Sequence, residues 1–227
     1  MSDASDKEQK FTRVQIAWRL VRLGVRPEFR RRLTTLVING YLQEIGWVRS
    51  VTDNAVVDAQ GEPQPWASAP FVDFITPRLH ASWSVFEYGA GASTIFYARR
   101  VARVLAVEHD EKFAAELRGR LPANATVVVH PAYSEAYAQA IAQWATPPVL
   151  VSVDGRDRVR CIEAARPALA SEGVLVLDDA ERAEYEPAVR QLREAGFKAV
   201  EFWGLPPGGI LRKCTTVFYR PGNVLGL

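Results

Sequence analysis

From residue 84 onward, short apolar runs alternate with stretches whose apolar positions recur every three or four residues. The runs at 85–88, 103–107, 126–129, 149–153 and 173–177 have strand length and are rich in β-branched residues. Between them the spacing predicts helices over 94–100, 112–121, 134–144 and 158–169. A further helix is expected over 186–195, stopped by Gly196. Such alternation predicts a parallel sheet covered by crossover helices. Two last strands, 197–203 and 215–219, have only the turn-rich 204–209 region and a few residues between them, so an antiparallel pair is expected there.

Upstream, Phe71, Phe74, Ile75 and Leu79 have helical spacing and predict a short helix over 71–80. Residues 48–70 carry Gly61, Pro63, Pro65 and Pro70 and read as a loop. Trp66 lies in its middle, placed either to close over a substrate or to anchor the loop to the core. Residues 11–47 read as helical and very basic. Arg13, Arg19, Arg22, Arg26, Arg30, Arg31 and Arg32 interleave with Val14, Ala17, Trp18, Val21, Leu33 and Leu36, and Pro27 suits a helix start. Residues 1–10 are polar and expected to be disordered. The organisation is thus a tail (1–10), a basic helical extension with its loop (11–64) and an α/β domain (65–227).

Composition narrows the partners. The 227 residues are 48% hydrophobic and carry a net charge of +2, so the chain as a whole has no pull toward polyanions and nucleic acid is not expected as a partner. The basic arm fits an amphipathic element packed on its own domain or on a second subunit, with arginines in solvent. A homodimer contact and a weak peripheral contact with anionic membrane stay open for it. No apolar run approaches the ~20 residues of a membrane span. Cys161 and Cys214 stand apart without ligand spacing, which argues against a disulfide framework or a cysteine zinc site. With no signal-peptide pattern at the start, a cytoplasmic location is expected.

The chemistry concentrates at the ends of the expected strands, where open α/β sheets bind ligands. The first strand runs into Glu87-Tyr88-Gly89-Ala90-Gly91-Ala92-Ser93-Thr94. Glycines permit a sharp turn and close approach of a ligand. Ser93 or Thr94 can cap the next helix, whose N-terminus favours electron-rich groups. Glu108 ends the second strand, 17 positions after Gly91, where a carboxylate can accept from ribose hydroxyls. Asp154 follows the fourth strand, and Asp178 and Asp179 follow the fifth.

These residues resemble the Rossmann-like class of S-adenosylmethionine-dependent methyltransferases over roughly 65–220. The resemblance rests on Glu87-x-Gly89-x-Gly91, Glu108, Asp154 and the closing strand pair. It implies a seven-stranded, mostly parallel sheet in the order 3-2-1-4-5-7-6, with one antiparallel strand and helices on both faces. It also implies that Gly89, Ala90 and Gly91 approach the amino-acid part of the cofactor, that Glu87 assists its ammonium and that Glu108 holds its ribose. His109, His130 and Tyr133 are implied beside the adenine. The stretches Pro65-Trp66, Val153-Asp154-Gly155-Arg156 and Asp178-Asp179-Ala180-Glu181-Arg182 further resemble a little-characterised group of bacterial methyltransferases, some of whose neighbours are linked to surface-glycan pathways.

Asp154, Asp178 and Asp179 also resemble the metal ligands of catechol-type O-methyltransferases, implying Mg²⁺ or a similar cation. This chain departs in having Asp-Asp for Asp-Asn and Arg156 where that group has lysine. Arginine is a poor base but a good clamp for an acidic substrate group. The expected function is O-methylation of a small or carbohydrate-like hydroxyl. Asp154 or Asp178 would take the proton, and Trp66 and Arg156 would meet the acceptor. The alternatives are metal-independent N- or C-methylation, a nicotinamide-dependent oxidoreductase using the same glycine turn, and a noncatalytic nucleoside-binding protein. The arginines at 158 and 160 read as a solvated helix face.

Overall fold

The computed structural model describes Trp18, Val21, Arg22, Gly24 and residues 26–227. The expected tail at 1–10 and most of the start of the basic arm lie outside the described residues. The chain forms two compact units, divided after Glu44. In the first, α1 (Pro27–Ile38) opens on Pro27, whose missing N–H costs nothing in a first helical turn. Glu28 pairs there with Arg31 and Arg32 at helical spacing. A single turn, α2 (Tyr41–Glu44), follows.

The second unit begins with α3 (Trp47–Thr52) and α4 (Ala69–Ile75). The helix expected over 71–80 ends early, passing into a 3₁₀ turn at Thr76–Arg78, because Pro77 cannot continue the α-helical hydrogen bonding. Then come β1 (Ser84–Tyr88), α5 (Ala92–Ala98), β2 (Arg103–Glu108), α6 (Glu111–Arg118) and β3 (Ala125–Val129). They are followed by α7 (Glu135–Ala138), β4 (Leu150–Val153), α8 (Arg158–Ala168), β5 (Val174–Leu177), α9 (Glu186–Glu194), β6 (Lys198–Gly204) and β7 (Lys213–Tyr219). The stretch expected as one helix over 134–144 is a turn of α-helix and then a 3₁₀ segment, Gln139–Gln143. Its buried positions are spaced by three, Tyr137 with Ala140 and Ala138 with Ile141 and Trp144, the period of the tighter helix.

All seven expected strands form one sheet in the order β3-β2-β1-β4-β5-β7-β6, with β7 antiparallel to β5 and β6. The central strands are buried on both faces, which is why they read as continuous apolar runs. Phe86, Tyr88, Val151, Val153, Leu175 and Leu177 meet Tyr137, Ile162 and Leu192 on one side. Val85, Val104, Leu150 and Val176 meet Phe71, Ile75, Phe96 and Tyr97 on the other. Fully burying one such side chain contributes about 1.5–3 kcal/mol.

The register matters most for function. Tyr88 pairs with both Val107 and Val153, and Val153 with Leu177. The next residue of each strand is therefore level along one edge: Gly89, Glu108, Asp154 and Asp178. Because β7 runs the other way, it delivers its first residues, not its last, to that edge. Leu177 pairs with Thr216, which sets Lys213, Cys214 and Thr215 beside Asp178 and Asp179.

Candidate active site

The glycine turn is held by its neighbours. Gly89 has φ +92, in the left-handed region, and a Cβ there would lie 2.9 Å from the Gly155 nitrogen. A Cβ on Gly155 would in turn lie 2.8 Å from the Gly89 nitrogen and run into the Tyr137 hydroxyl. The turns after β1 and β4 thus touch, bringing Asp154 beside the glycine loop. Gly91 faces open space: its Cβ would meet only the edge of Phe113, at 4.0 Å. Thr94 Oγ1 accepts from the Gly91 amide at 3.0 Å, so the residue that replaces a third glycine fastens the turn to α5.

Glu87 is only 2% exposed, and its Oε2 has no hydrogen-bond partner among the described residues. Burial pushes its carboxyl up to about 7, and the hydroxyls of Ser93 and Thr94 pull it part of the way back. An orphaned acceptor in this position fits a ligand bearing an ammonium. The unfolded chain loses this proton near the ordinary 4.5, before the folded one does. Stability of the free protein should therefore fall as pH rises from about 4.5 through about 7, by about 3 kcal/mol from this group. Urea unfolding across that window should show a fall in the wild type that is smaller by this amount in Glu87→Gln. Parallel curves would remove the assignment.

Glu108 is buried at the end of β2. Its Oε1 accepts from the amides of His109 (2.7 Å) and Asp110 (2.9 Å) and meets His109 Nδ1 at 2.5 Å. Among the described residues its Oε2 accepts only from the Ala90 amide, at 3.1 Å. Each carboxylate oxygen has two lone pairs, so Oε2 can take one further donor as it stands. Oε1, with two amides and His109 already on it, has no lone pair left for a second ribose hydroxyl. His130 is half-buried and 3.4 Å from the Gln143 side chain, while its amide donates to the Glu108 carbonyl. Tyr133 has φ +60 and is exposed. It lines a recess of about 370 Å³ with Arg156, Arg158, Arg182 and Tyr185. The guanidinium of Arg156 has no ion-pair partner among the described residues.

The three aspartates do come together, each offering an oxygen within 4.8 Å of the others. The structure adds cations that the sequence reading did not assign. Lys213 is buried and bonds Asp178 Oδ2, Asp179 Oδ1 (2.8 Å) and the Trp66 carbonyl (3.1 Å). Thr215 donates to Asp178 Oδ1 at 2.7 Å. Arg158 is buried rather than solvated. It pairs with Asp154 Oδ1 at 2.9 Å and Asp179 Oδ2 at 3.3 Å, with its guanidinium carbon 5.0 Å from the centre of the Tyr185 ring. Arg182 reaches Asp179 Oδ2 at 2.7 Å. Burial alone would raise Asp179, but Lys213, Arg158 and Arg182 hold it below the ordinary carboxylate value. Burial wins at Asp178, which is raised despite Lys213.

Asp154 differs from its neighbours. Its side chain is 41% exposed, and among the described residues only Oδ1 is paired. Enclosing protein and the nearby charge of Asp178 raise it above the ordinary carboxylate range, against the pull of Arg158 and Lys213. Trp66 is 49% exposed. Its indole N–H donates to the Pro207 carbonyl at 3.0 Å, so it anchors its loop while keeping an open face.

No protein-family model matches the chain, and no curated protein does. Solved structures do match in fold. The O-methyltransferase TomG from Streptomyces achromogenes, in complex with SAM, superposes with a TM-score of 0.53 at 16% identity, over 84% of this chain and 94% of that one. The cofactor-bound protein Rv0187 from MTB gives 0.55 at 21% identity, over 87% and 98%. The precorrin-6y C5,15-methyltransferase of Geobacter metallireducens GS-15 gives 0.55 at 19% identity, over 67% and 87%. The chain has the Rossmann-like fold of the class I S-adenosylmethionine-dependent methyltransferases.

Proposed function

We propose that the protein is an S-adenosylmethionine-dependent methyltransferase acting on a hydroxyl of a small, anionic or carbohydrate-like acceptor. The observation that carries this reading is the buried, unpartnered Glu87 oxygen beside a glycine turn that is open at Gly91. Glu87, Gly89, Ala90 and Gly91 would hold the amino-acid end of the cofactor, and Glu108 and His109 its ribose. Bound there, S-adenosylmethionine supplies a methyl group activated by a sulfonium, so orientation of the acceptor contributes much of the rate.

The protein's own part is to place the acceptor and accept its proton. Asp154 suits the second task, since among the described residues one of its oxygens is unpaired and its side chain is part-exposed at the strand ends. Asp178 suits it poorly, because Thr215 and Lys213 take both its oxygens. Arg156, in the recess with Tyr133 and Arg182, can recognise a carboxylate or phosphate on the acceptor. S-adenosylhomocysteine is expected to raise the thermal midpoint while NAD and NADP leave it unmoved; the reverse pattern sinks the reading. Arg156→Ala is expected to raise KM for phosphate- or carboxylate-bearing acceptors about tenfold and spare neutral ones. Equal effects on both would remove the clamp.

A further inference from the structure

We infer that the ammonium of Lys213 is the resident cation of the aspartate cluster, filling the place a divalent ion would need and fastening the Trp66 loop to the strand ends. Three observations lead there. First, every carboxylate oxygen of Asp178 and Asp179 already has a partner. Asp178 gives one oxygen to Thr215 and the other to Lys213. Asp179 gives one to Lys213 and the other to Arg158 and Arg182. Among the described residues only Asp154 of the three keeps an unpaired oxygen, and a hard divalent cation wants several.

Second, the charges already balance. Three carboxylates face Lys213, Arg158 and Arg182, so a further divalent cation would leave the cluster strongly positive unless it expelled one of these. Third, Lys213 is fully engaged. Its three hydrogens meet Asp178, Asp179 and the Trp66 carbonyl, and the ammonium lies 4.6 Å from the centre of the Trp66 ring. A parallel thread runs through Asp178 Oδ1 and Thr215, whose hydroxyl oxygen accepts from the Ser68 amide at 3.0 Å. Both oxygens of Asp178 therefore tie the same loop, one through Lys213 to Trp66 and one through Thr215 to Ser68. The acids that resemble metal ligands here serve to position the Trp66 loop through an amine carried by β7. Nothing in this depends on methyl transfer.

The test uses Mn²⁺ alone, followed by electron paramagnetic resonance and by thermal midpoint. The wild type is expected to show no saturable uptake at millimolar Mn²⁺ and no change of midpoint with chelator. Lys213→Met, which keeps the stem and drops the charge, is expected to take up about one Mn²⁺ per chain and to regain stability from it. Stoichiometric uptake by the wild type that disappears in Asp178→Asn would overturn the inference. So would a folded Lys213→Met that ignores Mn²⁺. Should Lys213→Met fail to fold, Lys213→Met combined with Asp178→Asn removes one charge of each sign and is expected to fold again. A double variant no more stable than the single one would overturn the inference as well.

Discussion

Replacing Asp154 by asparagine is expected to lower methyl transfer by about 100- to 10,000-fold, the usual weight of a general base. Asparagine keeps the shape and the contact with Arg158 but cannot accept a proton. The fall should therefore appear in kcat, with little change in the midpoint shift produced by S-adenosylhomocysteine. Turnover of a labelled methyl donor over an acceptor panel measures the first, and a thermal titration the second. An enzyme that keeps its rate with asparagine here would return the proton to solvent and leave Asp154 a contact residue. Asp178→Asn is the informative comparison. Asp178 is 4% exposed and bonded to Lys213 and Thr215, so its loss should be felt first in folding.

Lys213→Met is expected to cost about 3–5 kcal/mol of stability, because it strands two buried carboxylates. In a chain of this size that corresponds to a midpoint lower by about 6–20 °C. Arg182 also touches Asp179, but from a half-exposed position where water screens it, so Arg182→Ala should cost no more than about 1 kcal/mol. Urea unfolding of the two variants side by side separates a buried counterion from a surface one. Equal losses would mean that Lys213 has no special standing in the cluster.

The parallel part of the sheet was legible because buried strands write themselves as β-branched runs, and because their last residues carry the polar chemistry. Glu87, Gly89, Glu108, Asp154 and Asp178 could be named from that rule, and the register does set the residues following Tyr88, Val107, Val153 and Leu177 on one edge. The same rule concealed Lys213. It stands at the start of β7, among the few residues left unassigned between the 204–209 turn and the expected strand, and β7, antiparallel to both β5 and β6, brings its beginning to the site. One signal was available: a strand expected to run antiparallel must present its first residues at that edge. Arg158 was hidden for a different reason. Arginines at 156, 158 and 160 look like a solvated series, yet a two-residue spacing cannot keep three side chains on one helical face. Only the start of α8 decides that the middle one turns inward to Asp154 and Asp179. The roles of Tyr133 and Trp66 were the least legible, since both sit in loops whose course depends on partners far away in sequence, such as Pro207 for the Trp66 indole.

The amine on β7 has a thermodynamic consequence. A protein that borrows its central charge from solution carries a stability term that grows with the logarithm of the free ion, and its melting point drifts with every change of medium. Here the charge is part of the covalent chain, so that term is a constant. It is present in full at any dilution and has no dissociation constant for a cell to work against.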